Sequence, residues 1–182
     1  AASSPVWMIA VGALFHGAHP RHRQIVGGVC SLAGVLLVIA RGDPSALARV
    51  QFVAGDLYIL VAIVSWAFYS WMLARPPASM RPPARPGWNW AEFMLVQVLF
   101  GLLGAGAAAG AELARGTATI AWNGWVIAAL FYVALGPSIV AYRCWGLGIA
   151  AGGPALASFF ANLTPVFAAL MSAALLGELP RW

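Results

Sequence analysis

The side chains that could do chemistry in this chain are polar and aromatic residues placed inside long apolar stretches. Prolines stand beside several of them, and a proline within a helix frees a backbone carbonyl that adds a further polar group. Groups of this kind can line a cavity for a small solute, or they can form contacts between helices, and both interpretations stay open. The candidates are Trp66, Tyr69, Ser70, Ser138, Tyr142, Asn162, Thr164 and Pro165.

Catalysis and metal binding are not indicated. His16, His19 and His22 recur at every third residue, but Pro20 interrupts the helix that would align them and no acidic residue accompanies them. The two cysteines lie more than a hundred residues apart, without the spacing of a metal pair. Phosphate loops, nucleophile elbows and zinc-helix signatures are also missing. The sequence therefore predicts no catalytic residue, no metal and no cofactor, and we expect that the protein is not an enzyme.

The composition indicates that the candidate residues lie in a membrane. Of the 182 residues, 62% are hydrophobic and only 8% are charged, with a mean hydropathy of +0.85. A soluble domain carries about 25% charged residues, so the expected partner of this surface is the lipid bilayer. The net charge of +5 comes from arginines between apolar runs, which fits membrane topology and not nucleic-acid binding.

Six apolar stretches predict an all-α membrane protein with six transmembrane helices. Crossing a bilayer core takes about 20 helical residues. Open strands would leave backbone groups unpaired in hydrocarbon, and the alternation of a membrane barrel is missing. The predicted spans are 1–17, 25–40, 56–74, 91–114, 122–145 (extending as far as 150) and 154–177.

The first and last spans are variants of one segment, 160 residues apart. Seven of the 22 comparable positions are identical, among them the pairs Pro5 with Pro165 and Gly17 with Gly177. Five crossings separate the copies, so they would traverse the membrane in opposite directions. Inverted repeats of this kind build many secondary transporters, and a proline at matching places marks their binding region.

Arginine counts orient the predicted bundle. The first, third and fifth connectors hold six arginines, whereas the second, the fourth and the tail hold four. Because cytoplasmic connectors carry the excess of basic residues, the sequence places the loop 75–90 on the cytoplasmic side of the plasma or inner membrane.

Taken together, these features resemble the EamA-type family of the drug/metabolite transporter superfamily. The resemblance implies ten helices in two inverted five-helix repeats, which move a metabolite or a drug-like solute. Pro5, Gly17, Pro137, Gly177 and Glu178 would be structural motif residues, although Ala18 stands where the first copy usually has a Glu. The matching elements are Ser4-Pro5 with Gly17, Gly34-Val35-Leu36-Leu37-Val38, Gly55-Asp56 with Ser65-Trp66-Ala67, Leu163-Thr164-Pro165-Val166 and Leu176-Gly177-Glu178.

The resemblance also divides the chain and leaves two functions open. Residues 1–41 would end the first repeat, 42–55 would be a loop, and 56–182 would be a second repeat without its last helix, so we expect a piece of a longer protein. The leading function is a permease that carries a small organic solute by alternating access. The alternative is a non-transporting membrane scaffold or accessory subunit, which the lack of a mid-span charge favours. Self-association into a homo-oligomer is left open.

Overall fold

The computed structural model of the protein describes residues 3–40, 53–116 and 121–177. All regular secondary structure in these ranges is helical, which confirms the all-α prediction there. The helices, numbered in chain order, are α1 Ser4–His16, α2 His22–Ala40, α3 Ala54–Ala74, a 3₁₀ turn Ala78–Met80, α4 Trp90–Ala114, α5 Gly124–Val133, a π-helical turn Ala134–Val140, α6 Ala141–Ala161 and α7 Thr164–Leu176.

Three helical stretches of the described chain are long and apolar enough to cross a membrane. They are Ala54–Ala74 with 21 residues, Trp90–Ala114 with 25, and Gly124–Ala161 with 38, the last joining α5, the π-helical turn and α6. At about 1.5 Å per residue, even the shortest reaches the roughly 30 Å of a bilayer core. They coincide with the third, fourth and fifth predicted spans, whereas six separate spans remain a prediction. The finding supports a membrane-embedded protein.

The sixth predicted span is not one helix, and this corrects the sequence analysis. A turn at Asn162 and Leu163 separates α6 from α7. Pro165 therefore lies in the first turn of α7 instead of kinking a helix at its middle, because the missing N–H of proline costs least at a helix start. The predicted break at Gly152-Gly153-Pro154 is present: Gly153 has φ 79° and ψ 166°, and the helix resumes after it.

The segment repeated in the sequence is also a repeat of local structure. α1 and α7 each have 13 residues, carry a proline in the first turn and end at a left-handed glycine, with Gly17 at φ 58° and Gly177 at φ 67°. The backbones before the two helices agree as well, with φ −79° at Ser3 and φ −77° at Leu163. Their directions across a membrane stay a prediction, and Glu178 lies outside the described residues.

The chain forms two compact units. The first combines 1–76 with 143–182, and the second is 77–142. The core of the first unit is the contact of α1 with α3, where Met8, Val11, Ala67 and Trp71 are buried. The predicted division into repeats stays a prediction, and most of the predicted loop 42–55 lies outside the described residues.

The second unit has almost no interior of its own. No residue in the apolar stretch of α4 is buried. Leu103 of α4 and Phe131 of α5 are among the many exposed apolar side chains of this unit. Such an apolar surface is compatible with lipid as its solvent, since a soluble protein rarely leaves so large an apolar patch uncovered.

Candidate functional site

The close contact between α1 and α3 centres on Gly12 and Trp71. The indole Nε1 of Trp71 donates a buried hydrogen bond of 2.7 Å to the Met8 carbonyl. A Cβ atom on Gly12 would lie only 2.2 Å from Cζ2 of Trp71, so the indole can lie against α1 only because residue 12 has no side chain. His16 stacks on the same indole, with ring centroids 5.5 Å apart.

Arg75 follows directly after α3 and lies at the edge of this contact between α1 and α3. Its guanidinium carbon lies 5.6 Å from the Trp71 ring centroid, within the range of a cation–π interaction. The same guanidinium donates a hydrogen bond to the carbonyl of His16, at the end of α1. The head group of Arg75 is therefore held in place between the ends of two helices.

The predicted set Trp66, Tyr69 and Ser70 lies together with Trp145 of α6. The Trp66 ring centroid is 5.2 Å from the centroids of both Tyr69 and Trp145. Ser70 is fully buried; its hydroxyl donates to the Trp66 carbonyl over 2.8 Å and accepts from Trp145 Nε1 over 3.1 Å. Trp145 is not among the predicted residues, because nothing in the linear spacing relates it to Ser70, 75 residues away. A substrate role for the predicted three stays a prediction.

The other predicted residues of the first unit sit near the turn between α6 and α7. Asn162 Nδ2 donates to Ser31 Oγ of α2 over 2.6 Å, which ties this turn to the second helix. Thr164 Oγ1 donates to the Ala161 carbonyl over 2.6 Å. Pro165 follows directly in the first turn of α7.

Ser138 and Tyr142 belong to the second unit. Ser138 Oγ donates to the Val133 carbonyl over 3.0 Å, inside the π-helical turn. Sequence analysis treated Gly136-Pro137 as a helix break, whereas the chain passes Pro137 by widening the helix. Tyr142 is 39% exposed.

A cavity of ≈ 410 Å³ opens in the first unit where α1, α3 and α6 each end or break. None of the eight predicted residues is among the described residues that line it. Ligand cavities have volumes of roughly 300–1,000 Å³, so this one can hold a small molecule or part of a larger one. Its lining consists of Ile9, Ala18, His19, Pro20, Arg21, Gln24, Trp71, Ala74, Arg75, Gly152, Gly153, Pro154 and Ala155.

The sequence is similar to that of a transporter. "Uncharacterized transporter YyaM" of Bacillus subtilis (strain 168) is 25% identical over 150 residues. The matched region covers 82% of this chain and 46% of that protein, so the chain spans about half the length of its relative. No family model matches the sequence, and no solved structure does. The similarity and the apolar helices together support a transport role in a membrane, without identifying a substrate.

The described residues contain no cluster of three or more His, Cys, Asp or Glu side chains that could hold a metal ion. Cys30 and Cys144 are both free and exposed. The polar side chains that line the cavity are those of His19, Arg21, Gln24, Trp71 and Arg75, which can bind a ligand by hydrogen bonds and charge.

Proposed function

We propose that this chain belongs to a secondary transporter that carries a small organic solute across the cell membrane by alternating access. The observation that carries the proposal is the pair α1 and α7: two 13-residue helices, 160 residues apart, with the same proline start and the same glycine end. Transporters assembled from two related halves contain such pairs. The similarity to a transporter supports the same function.

The proposed architecture is that of the EamA-type drug/metabolite transporters, with α1 and α7 as equivalent helices of two inverted repeats. The cavity supports spans of alternating direction. Its lining comes from the segment after α1, the end of α3 and the break in α6, which are the first, third and fifth connectors of the predicted topology. The first, third and fifth connectors lie on the same side of a membrane only if successive spans cross it in alternating directions. That side is the cytoplasmic one in the proposed orientation.

The solute would bind against the aromatic cluster Trp66, Tyr69 and Trp145. Indole and phenol rings offer apolar area together with a polar edge, which suits organic solutes of mixed character. The cluster joins α3 to α6, and the bond from Trp145 to Ser70 fixes their contact. Alternating access requires such contacts to form in one state and open in another.

Flux measurements with the full-length protein in proteoliposomes test the proposal. A panel of amino acids, amines and nucleosides should contain at least one solute that moves down an imposed gradient. Tyr69→Phe should change the KM for that solute, whereas Tyr132→Phe, whose ring is 66% exposed in the second unit, should leave it unchanged. Lack of gradient-dependent flux across the panel would instead favour a membrane scaffold or accessory subunit.

A further inference from the structure

The cavity at the ends of α1 and α3 has an uncompensated positive lining. Arg21 and Arg75 both line it, and the described residues of the lining include no Asp or Glu. Two guanidinium groups on one cavity repel each other unless an anion neutralises them. A bound anion offsets this repulsion by attracting both guanidinium groups. The attraction is stronger than it would be in water, because the effective dielectric constant near the protein is lower.

Arg75 is held in a position from which it can bind a ligand. Its contact with the Trp71 ring and its bond to the His16 carbonyl orient the guanidinium. A guanidinium has five N–H donors, so the bond to His16 leaves others for a ligand. Less side-chain entropy is lost on binding when the group is already oriented. Arg75 is thus a preorganised donor, and Arg21 supplies a second charge.

The remaining polar groups of the lining are donors or can act as donors. Gln24 Oε1 accepts from the Arg21 backbone N–H over 2.9 Å, which leaves the amide NH₂ of Gln24 as the polar end available to a ligand. Helical backbone resumes at Pro154 after the non-helical Gly153, and the cavity reaches Ala155 in the resumed turn. First-turn N–H groups of a helix add positive potential at its start.

We infer that this cavity binds a phosphate-type oxyanion. A planar guanidinium binds two oxygens of such a tetrahedral group through paired N–H···O bonds, which an ammonium group cannot do. The cavity volume of ≈ 410 Å³ leaves room for the organic part of a larger molecule that carries the oxyanion. A lipid headgroup and a soluble organophosphate share this chemistry. The inference does not depend on transport.

Binding measurements on the purified full-length protein in neutral detergent distinguish the two sources. The probes are dioctanoyl phosphatidylglycerol, zwitterionic dioctanoyl phosphatidylcholine and inorganic phosphate, each titrated at two salt concentrations. Tight binding of phosphatidylglycerol without binding of phosphate identifies a lipid headgroup. Binding of inorganic phosphate as well identifies an oxyanion site open to soluble ligands. Either result supports the inference, and binding should weaken at the higher salt concentration.

Arg21→Gln and Arg23→Gln form a matched pair that separates a site from general charge. Both arginines are exposed, they lie two residues apart, and only Arg21 lines the cavity. Arg21→Gln should raise the dissociation constant about tenfold, the loss expected for one charge-assisted hydrogen bond. Arg23→Gln should change it less than twofold. Equal weakening by both variants, or no binding of either anionic probe to the wild type, would overturn the inference.

Discussion

The hydroxyl side chains of Ser138 and Thr164 each donate a hydrogen bond to a backbone carbonyl beside a proline. In a regular helix the N–H of residue 137 would bond to the Val133 carbonyl, but Pro137 has no N–H; the π-helical turn shifts the backbone bonds from i−4 to i−5, and Ser138 Oγ adds a bond of 3.0 Å to the Val133 carbonyl. Thr164 Oγ1 donates to the Ala161 carbonyl, at the end of α6 and four residues before Pro165. A bilayer offers no water to free carbonyls, so neighbouring side chains must satisfy them. Polarity near the two prolines therefore has a structural cause, whatever a solute contacts.

The first prediction is that Ser138 and Pro137 are energetically coupled. Ser138→Ala removes the side-chain bond to the Val133 carbonyl and should lower the free energy of unfolding by about 0.5–1.5 kcal/mol. In a Pro137→Ala background the new backbone N–H can bond to that carbonyl, so the same Ser138→Ala change should cost much less. Equilibrium unfolding of the four proteins in detergent micelles gives the coupling energy. Additive effects would show that the contribution of the serine bond does not depend on the proline.

The second prediction is that Gly12→Ala destabilises the first unit. Alanine favours helix by about 1 kcal/mol over glycine, but its Cβ would lie 2.2 Å from Trp71 and force the ring to move. Overpacking of this kind costs about 1–3 kcal/mol, so we expect a lower unfolding temperature. Gly34→Ala is the control, because a Cβ there meets nothing within 4 Å, and it should be neutral or stabilising. A loss of stability in Gly12→Ala without a loss in Gly34→Ala is the diagnostic result.

At the scale of the elements, the presence and approximate position of the helices followed from the sequence, but the effect of each proline on the backbone did not. The spans 56–74 and 91–114 lie within two residues of α3 and α4, because long apolar runs permit little else in a membrane. Pro137 widens its helix and Pro154 follows a break. The neighbouring backbone differs: Gly153 takes a positive φ that ends a helix, whereas around Pro137 the helix continues with i→i−5 bonds and the Ser138 hydroxyl adds a further bond.

The third prediction concerns the two glycine ends of the repeated helix. The left-handed backbone at Gly17 and Gly177 is strained for any residue with a Cβ, and a Cβ at either position would contact nothing. Alanine at each should therefore cost about 1 kcal/mol through the backbone alone. Similar losses in thermal unfolding for Gly17→Ala and Gly177→Ala would support one shared local structure. Gly148→Ala, in an ordinary helical position, should show no loss, and a loss there of the same size would contradict the explanation.

At the scale of the molecule, the candidate site was only partly predictable from the sequence. Trp66, Tyr69 and Ser70 were found because they share one turn of one helix, and the structure adds Trp145 from a distant one. The cavity was missed entirely. Its arginines come from separate connectors, and in the sequence each arginine between apolar runs already has a sufficient explanation in membrane topology. Only the packing of α1 against α3 brings them to one cavity.

The last prediction tests the topology on which the inverted repeat depends. α4 has 25 residues and a length of about 37 Å, which exceeds a bilayer core of roughly 30 Å, so its two ends should lie on opposite sides. In the full-length protein with Cys30→Ser and Cys144→Ser, we expect an impermeant maleimide to label Ser79→Cys from the cytoplasmic side. Arg115→Cys should be labelled from the other side only. Both positions are exposed, and both should react once the membrane is permeabilised, which controls for reactivity. Labelling of both from one side would mean that α4 does not cross, and α1 and α7 would then lose the odd number of crossings that makes them an inverted pair.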